Sequence, residues 1–334
     1  MKIACLILAM LLLIAPPARA QSGGALGADA GDAAAIEIAA GKSVVQRWKI
    51  GFSVRATKAN CTALFATVPV PMDWPEQSVR IVEELTDVSP NVKKVDFRVL
   101  GNGVKQLLAS IPVLPYGEEA HVYMTFEVTK RIVVAPEDVT LLRIPKRLSR
   151  EFRPYLGKSP FIESTSPRIK NVAKKVVAGK NRAWDKVEAI YDWVREHVEY
   201  KEGKLKGALA ALKDGHGDCE ELTSLFVAMC RANRIPARTV WVEGHCYPEF
   251  YLQDDQDKGH WYPCQAAGAR DFGGMFEKRL ILQKGDKFKV PEKKADQHYV
   301  KVYLHAKSAR GSGGPQVTFV RELALGDEPA ARFP

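Results

Sequence analysis

Two periodicities divide the chain. Between about Ser43 and Pro136, hydrophobic and polar positions alternate: Trp48, Ile50, Phe52 and Val54 interleave with Lys49, Gly51, Ser53 and Arg55, and Val95, Phe97 and Val99 with Asp96 and Arg98. Val122, Met124, Phe126 and Val128 repeat the pattern. Successive side chains of a strand point to opposite faces, so these runs predict strands with one apolar and one solvated face. Turn sequences such as Pro71-Met72-Asp73, Ser89-Pro90-Asn91 and Gly101-Asn102-Gly103 separate them. Together they predict a separate N-terminal antiparallel β-sandwich over 43–140.

After a connection at 141–165 that carries Pro145, Pro154 and Pro160, the period lengthens. Ile169, Val172, Val176 and Val177, then Trp184, Val187, Ile190, Tyr191, Val194 and Val198, recur at three- and four-residue spacings and predict two amphipathic helices. Another helix is predicted from Cys219, with Leu222, Leu225, Phe226, Met229 and Cys230 on one face. Asp218 suits its N-cap, Pro236 stops it, and Asn233 suits a left-handed turn at its end. Strand-like runs follow over 237–242, 245–252 and 259–265, then a β-rich tail around Val300, Val302, Leu304 and 317–320. The fold class expected is α+β, with 166–334 as its C-terminal domain.

Composition changes this picture at the N-terminus. Lys2, the apolar stretch from Ile3 to Ala15, and Ala18 and Ala20 around Arg19 read as a secretory signal over 1–20, so the expected location is periplasmic or secreted. The stretch is too short to span a bilayer. Residues 21–42, rich in Ala and Gly, read as a flexible lead-in. The formal charge of +10, reduced by two when Lys2 and Arg19 leave, is scattered among acids rather than blocked. No nucleic-acid motif accompanies it, and no phosphate, dinucleotide or calcium loop implies a cofactor.

Cysteine usage carries more information. Without Cys5, Cys61, Cys219, Cys230, Cys246 and Cys264 remain, an odd set that leaves at least one thiol unpaired within the chain in an oxidising compartment. Cys219 falls at the first helical position. Orphan N–H groups at a helix start favour a thiolate, the nucleophilic form of sulfur, and can also stabilise an oxyanion formed when that sulfur attacks a carbonyl. Gly215 and Gly217 are expected to leave the preceding loop uncrowded for an approaching substrate backbone.

The sequence "GDCEELTSLFVAMCRANRIPARTVWVEGHCYPEFYL", followed by "GHWYPCQAAG", resembles the transglutaminase-like superfamily, relatives of the papain-like cysteine proteases. Four motifs occur in order within about 165–275: a Gly-x-Cys helix start, Arg-Ala-x-x-Ile-Pro-Ala-Arg, His-x-aromatic-x-Glu, and Trp-x-Pro. The resemblance implies Cys219 as nucleophile and His245 as general base, with His260 the weaker alternative base and His216 at the rim. Cys–His chemistry of this kind transfers an acyl group through a thioester on peptide or glutamine side-chain amides. Water completes a hydrolysis, and an amine completes a transamidation. A protein or peptide of the cell envelope is the substrate this implies, with no metal or organic cofactor.

Departures from the family pattern qualify what is implied. Gln265 stands where an aspartate is usual; its carbonyl can accept the His245 Nδ1–H, without a full charge to stabilise imidazolium. Asp271 is the alternative third member. Arg234 stands where a glycine is common, with Asn233 available to absorb the turn, and Tyr247 replaces a tryptophan. Strand alternation turns Cys246 and Cys264 away from a site lined by His245 and Gln265, where they either pair as a disulfide or stay as two thiols. A weakly active or inactive binding scaffold of the envelope is the rival to an enzyme.

Overall fold

The computed structural model describes residues 43–101, 103–309 and 313–324. The expected signal segment 1–20 and lead-in 21–42 lie outside the described residues. The N-terminal half runs through β1 (Ser43–Arg55), β2 (Cys61–Val70), β3 (Gln77–Val88), β4 (Lys94–Leu100), β5 (Val104–Leu114) and β6 (Glu119–Arg131). Helices α1 (Pro167–Val176) and α2 (Ala183–His197) follow, then β7 (Glu199–Tyr200), α3 (Ala208–Asp214), β8 (His216–Gly217) and α4 (Cys219–Ala232). The chain continues through β9 (Ala237–Val242), β10 (His245–Gln253), β11 (Gly259–Pro263), β12 (Ile281–Lys284), β13 (Tyr303–Ser308) and β14 (Gln316–Leu323).

Alternation acts as the pattern predicts. On β1 the side chains of Ile50, Phe52 and Val54 are fully buried, and Met124, Val122 and Ala120 of β6 stand opposite them in register. A sheet in the order β14-β1-β6-β3 covers β2 and β5, whose Leu64, Val68, Leu107 and Ile111 complete one apolar core. Each fully buried side chain of this size contributes about 1.5–3 kcal/mol of transfer free energy. The β-rich tail, assigned by sequence to the C-terminal domain, returns to this sandwich: β14 pairs antiparallel with β1 and β13 with β2.

The larger sheet runs β11-β10-β9-β12-β5-β2-β13, so it is continuous from the sandwich into the segment that carries the cysteine helix. The join is one bridge, Gln283 on β12 to Val104 on β5, reinforced by buried charge. Lys284 of β12 donates to Glu76, next to the sandwich strand β3, and to Glu249 of β10 at 2.9 Å. Glu249 also pairs with Arg238 of β9, opposite it in register. The Glu of the His-x-aromatic-x-Glu motif and the last Arg of the Ile-Pro-Ala-Arg motif are thus partners. Together these ion pairs fix β9 and β10, and with them His245, against the sandwich.

Helix α4 is more deeply embedded than its predicted single apolar face implied. Every residue from Glu221 to Arg231 is buried, with α1, α2 and α3 on one side and β9 and β10 on the other. Its C-terminus departs from expectation as well. Asn233 stays at φ −96°, and Arg234 takes the left-handed conformation at φ +63°. Arg234 N–H bonds the Arg231 carbonyl and Ile235 N–H the Cys230 carbonyl, a Schellman arrangement that requires a left-handed residue one position beyond the cap. Asn233 is occupied otherwise: its Nδ2 donates to the carbonyls of Met229 and Ala173.

Candidate functional site

Asp218 caps α4 as predicted, accepting the Glu220 N–H at 2.8 Å, and Glu221 answers from the third helical position by accepting the Asp218 N–H at 3.2 Å. This reciprocal box places Cys219 at the first residue of the helix, next to its unsatisfied N–H groups. Glu221 reaches further, accepting the Lys206 N–H at 2.8 Å and so tying the 201–207 segment to the helix start. The sequence reading passed over Glu221, although Asp218-x-x-Glu221 is the spacing of such a box.

The two loop glycines have roles in the fold. Gly215 closes α3 at φ +73°. A Cβ on Gly217 would lie 2.3 Å from that of Glu221, so the aliphatic stem of the capping residue fills the space that the missing side chain leaves. Beside them β7 and β8 pair in parallel, Glu199 with His216 and Tyr200 with Gly217, which brings Tyr200 next to Cys219 at the start of α4.

His245 opens β10, and Gln265 lies two residues beyond β11, the neighbouring strand. The structure brings them together: Gln265 Oε1 is 2.8 Å from His245 Nε2. Nε2, not the expected Nδ1, therefore carries the orienting bond, which leaves Nδ1 as the ring nitrogen for the hydrogen bond His245 shares with Cys219. Gln265 is held through its main chain. Its N–H donates to the Asp271 carbonyl at 2.8 Å, and its carbonyl accepts from Tyr191 Oη and Arg195 Nη1 of α2, each at 2.9 Å. Asp271, the alternative third member, meets the group through its backbone. Tyr191 and Arg195 had no signal in the sequence beyond helical periodicity.

The remaining histidines lie elsewhere. His260 pairs with Asp254 at 3.2 Å near the β10–β11 hairpin, opposite Leu252 in register and so about 20 Å along the sheet from His245. The Nδ1 of His216 sits 3.2 Å from Lys206 Nζ. His121, on the sandwich, is bonded to Ser89 Oγ at 2.9 Å. Among the described residues no three His, Cys, Asp or Glu side chains gather as a metal site.

Electrostatics favour an ionised sulfur. A hydrogen bond from the Cys246 thiol is the largest influence on Cys219; burial opposes it, and the bond to and charge of His245 add to it, bringing the Cys219 thiol down to about 4. Burial disfavours a charged His245, but the bonds to Cys219 and Gln265 outweigh it and raise its pKa above the usual histidine value. Thiolate and imidazolium therefore support each other. Two carboxyls share the site: burial, more than the neighbouring charges, raises Asp218 to about 6 and Glu220 to about 7.

Cys246 and Cys264 are free thiols, as are Cys61, Cys219 and Cys230. Alternation does set both opposite His245 and Gln265, but the opposite face is the one that α4 covers: Thr223 Oγ1 of α4 donates to the Cys246 carbonyl, and Phe226 packs near Phe250. Cys264 stands opposite Pro248, two residues along β10 from Cys246. That diagonal is about 7–8 Å, outside the range a disulfide bridges. Cys246 instead meets Cys219, a contact that nothing in the sequence signalled.

Comparisons with known proteins bear on the fold and the family of this segment. Residues 170–266, which include Cys219, His245 and Gln265, match the family model of the transglutaminase-like superfamily. The crystal structure of a candidate cysteine protease from Cytophaga hutchinsonii superposes with a TM-score of 0.52 at 15% identity, over 88% of this chain and 96% of that one. The periplasmic domain of TgpA from Pseudomonas aeruginosa, bound to ethylmercury, gives a TM-score of 0.33 at 14% identity, over 65% of this chain and 89% of that one. No curated protein shows significant similarity to the sequence. The fold is α+β with mostly antiparallel sheets, and its residues 170–266 are a domain of the transglutaminase-like superfamily.

Proposed function

We propose that the protein transfers acyl groups from amides of peptides or glutamine side chains through a thioester on Cys219. The observation that carries this reading is the hydrogen-bonded series Cys219–His245–Gln265, built from a helix start, the first residue of β10 and the segment just past β11. The Cys219 thiolate attacks the amide carbonyl carbon. The helix start favours the resulting oxyanion, and since Asp218 already takes the Glu220 N–H, the Cys219 N–H is the donor nearest the new bond. His245, as imidazolium, gives its Nδ1 proton to the departing amine, the C–N bond breaks, and the thioester remains. His245 then accepts a proton from water or an acceptor amine as its oxygen or nitrogen attacks the thioester carbon, and the C–S bond breaks to return the Cys219 thiolate, completing hydrolysis or transamidation. Gln265 keeps the ring oriented by accepting from Nε2.

Met1–Ala20, read as a secretory signal, supports a location outside the cytoplasm, and no described helix is long and apolar enough to cross a membrane. An amide of a cell-envelope protein or peptide is the substrate class that fits this location.

The test is to incubate the protein with a library of glutamine-containing peptides and search by mass spectrometry for an acyl adduct on Cys219. The adduct and amide turnover are expected in the wild type and absent in Cys219→Ala, which should fold normally because the residue begins a helix whose packed part starts later. A folded wild type with no adduct and no turnover would indicate a scaffold instead of an enzyme.

A further inference from the structure

Two thiols meet at this site, and they differ in access. Cys219 is half-buried at the start of α4 and open to solvent, whereas Cys246, on β10, is 1% exposed and hydrogen-bonded to it. A sulfur that meets reagents first and a shielded thiol in direct contact with it are the two parts of a resolving pair. We propose that Cys219 and Cys246 form an oxidisable dithiol, in which a hydroperoxide modifies Cys219 and Cys246 resolves the product as an intrachain disulfide.

The chemistry balances with the peroxide as oxidant. With hydrogen peroxide, the simplest hydroperoxide, the Cys219 thiolate attacks one oxygen, the O–O bond breaks, and the departing hydroxide takes a proton from the adjacent His245 imidazolium to leave as water. Cys219 is now a sulfenic acid. The Cys246 sulfur attacks the Cys219 sulfur, an S–S bond forms as the S–O bond breaks, and the Cys246 proton leaves with the hydroxide as a second water. The two thiols lose two electrons in all, and the peroxide gains them.

Placement in the fold selects Cys246 over the other cysteines. Cys230 lies eleven residues along α4 from Cys219, roughly 16 Å at the helical rise. Cys264 neighbours Cys230 and bonds the Pro248 carbonyl at 3.8 Å, and Cys61 lies in the sandwich core. A disulfide needs Cα atoms within about 7 Å, which favours the thiol already in contact. An accessible, ionised sulfur poised beside a resolving cysteine is also the arrangement that diverts oxidation from the irreversible sulfinic and sulfonic acids. The reaction does not require acyl transfer, and its readout is mass rather than turnover, so its failure is distinct from failure of the proposed activity.

The experiment treats the reduced full chain with a few equivalents of hydrogen peroxide, blocks remaining thiols, and maps digested peptides by mass spectrometry. The expected product joins the Cys219 and Cys246 peptides with loss of two hydrogens, and dithiothreitol returns both free peptides. Cys264→Ser should give the same crosslink; Cys246→Ser should give none and accumulate sulfinic acid at Cys219. If Cys246→Ser does not fold, as judged by its circular dichroism and melting curve, the wild-type and Cys264→Ser maps decide alone. Sulfinic acid at Cys219 of the wild type without the crosslink, a bond from Cys219 to Cys230 or Cys264, or no oxidation of Cys219 would each overturn the proposal.

Discussion

Gln265 Oε1 lies 2.8 Å from His245 Nε2, so the group that meets this ring nitrogen is a neutral amide, where the resemblance to transglutaminase-like proteins implies an aspartate. A carbonyl fixes the ring and its tautomer as well as a carboxylate does. What it lacks is the charge that would further stabilise imidazolium, and here the Cys219 thiolate supplies that charge.

Replacing Gln265 with alanine should therefore lower kcat with little change in KM, because the lost bond serves proton transfer and not substrate binding. Gln265→Asp should retain activity and move the alkaline limb of the pH profile upward, since a carboxylate favours the protonated ring. Asp271→Ala should be nearly silent, as its contact is made by the backbone. Steady-state kinetics of the three variants decide the point; an inactive Asp271→Ala beside a fully active Gln265→Ala would reverse the assignment.

Loss of His245 itself should be more severe. His245→Ala is expected to reduce amide turnover by about 10²–10⁴-fold, the usual cost of removing a general acid–base. His260→Ala, about 20 Å away along the sheet and paired with Asp254, should change turnover little. The opposite order would move the base to His260.

The left-handed Arg234 predicts a stabilising substitution. An L-residue in that conformation costs about 1–2 kcal/mol, and glycine avoids the clash while losing some of the gain to backbone entropy. Arg234→Gly should thus raise the unfolding free energy by roughly 1 kcal/mol, measured by urea denaturation. A loss of stability would mean that the exposed arginine side chain contributes more than its backbone costs.

Burial makes the Arg231–Asp286 pair sensitive. The two side chains are 0% and 1% exposed, with Nη2 2.7 Å from Oδ2, and Arg231 also donates to the carbonyls of Ala237 and Gly157. Asp286→Ala leaves a guanidinium charge buried without its carboxylate, and breaking such a pair typically costs about 3–5 kcal/mol. Denaturant midpoints at unchanged slope measure it; a loss under about 1 kcal/mol would show that the carbonyls alone suffice.

How much of this was legible from sequence depends on the range of the interaction. Period-two and helical spacings located the strands around Phe52 and Phe126 and the helices around Ile190 and Phe226, because burial of one face is written locally in the residues themselves. The series of ordered motifs led to Cys219, His245 and Gln265. What local pattern did not carry was pairing between distant segments: β13 and β14 returning to β2 and β1, Glu249 joining Arg238 and Lys284, and α4 covering the strand face that bears Cys246. The alternation rule separated Cys246 from His245 correctly. It could not say that the helix carrying Cys219 lies on the cysteine side. The hydrogen bond that engages the Asn233 side chain with Ala173, sixty positions away, was likewise beyond local pattern.

The central claim is that His245 and Cys246 hold Cys219 as a thiolate. It is tested most directly by the rate at which iodoacetamide alkylates Cys219, followed by peptide mapping across pH in the wild type and in His245→Ala. The wild-type rate should rise to its plateau around pH 4, where the Cys219 thiol ionises, and the rise should shift to higher pH in His245→Ala as the imidazolium that favours the anion is lost. A wild-type rise near pH 8.5, that of an ordinary cysteine, with no change in His245→Ala, would contradict the account.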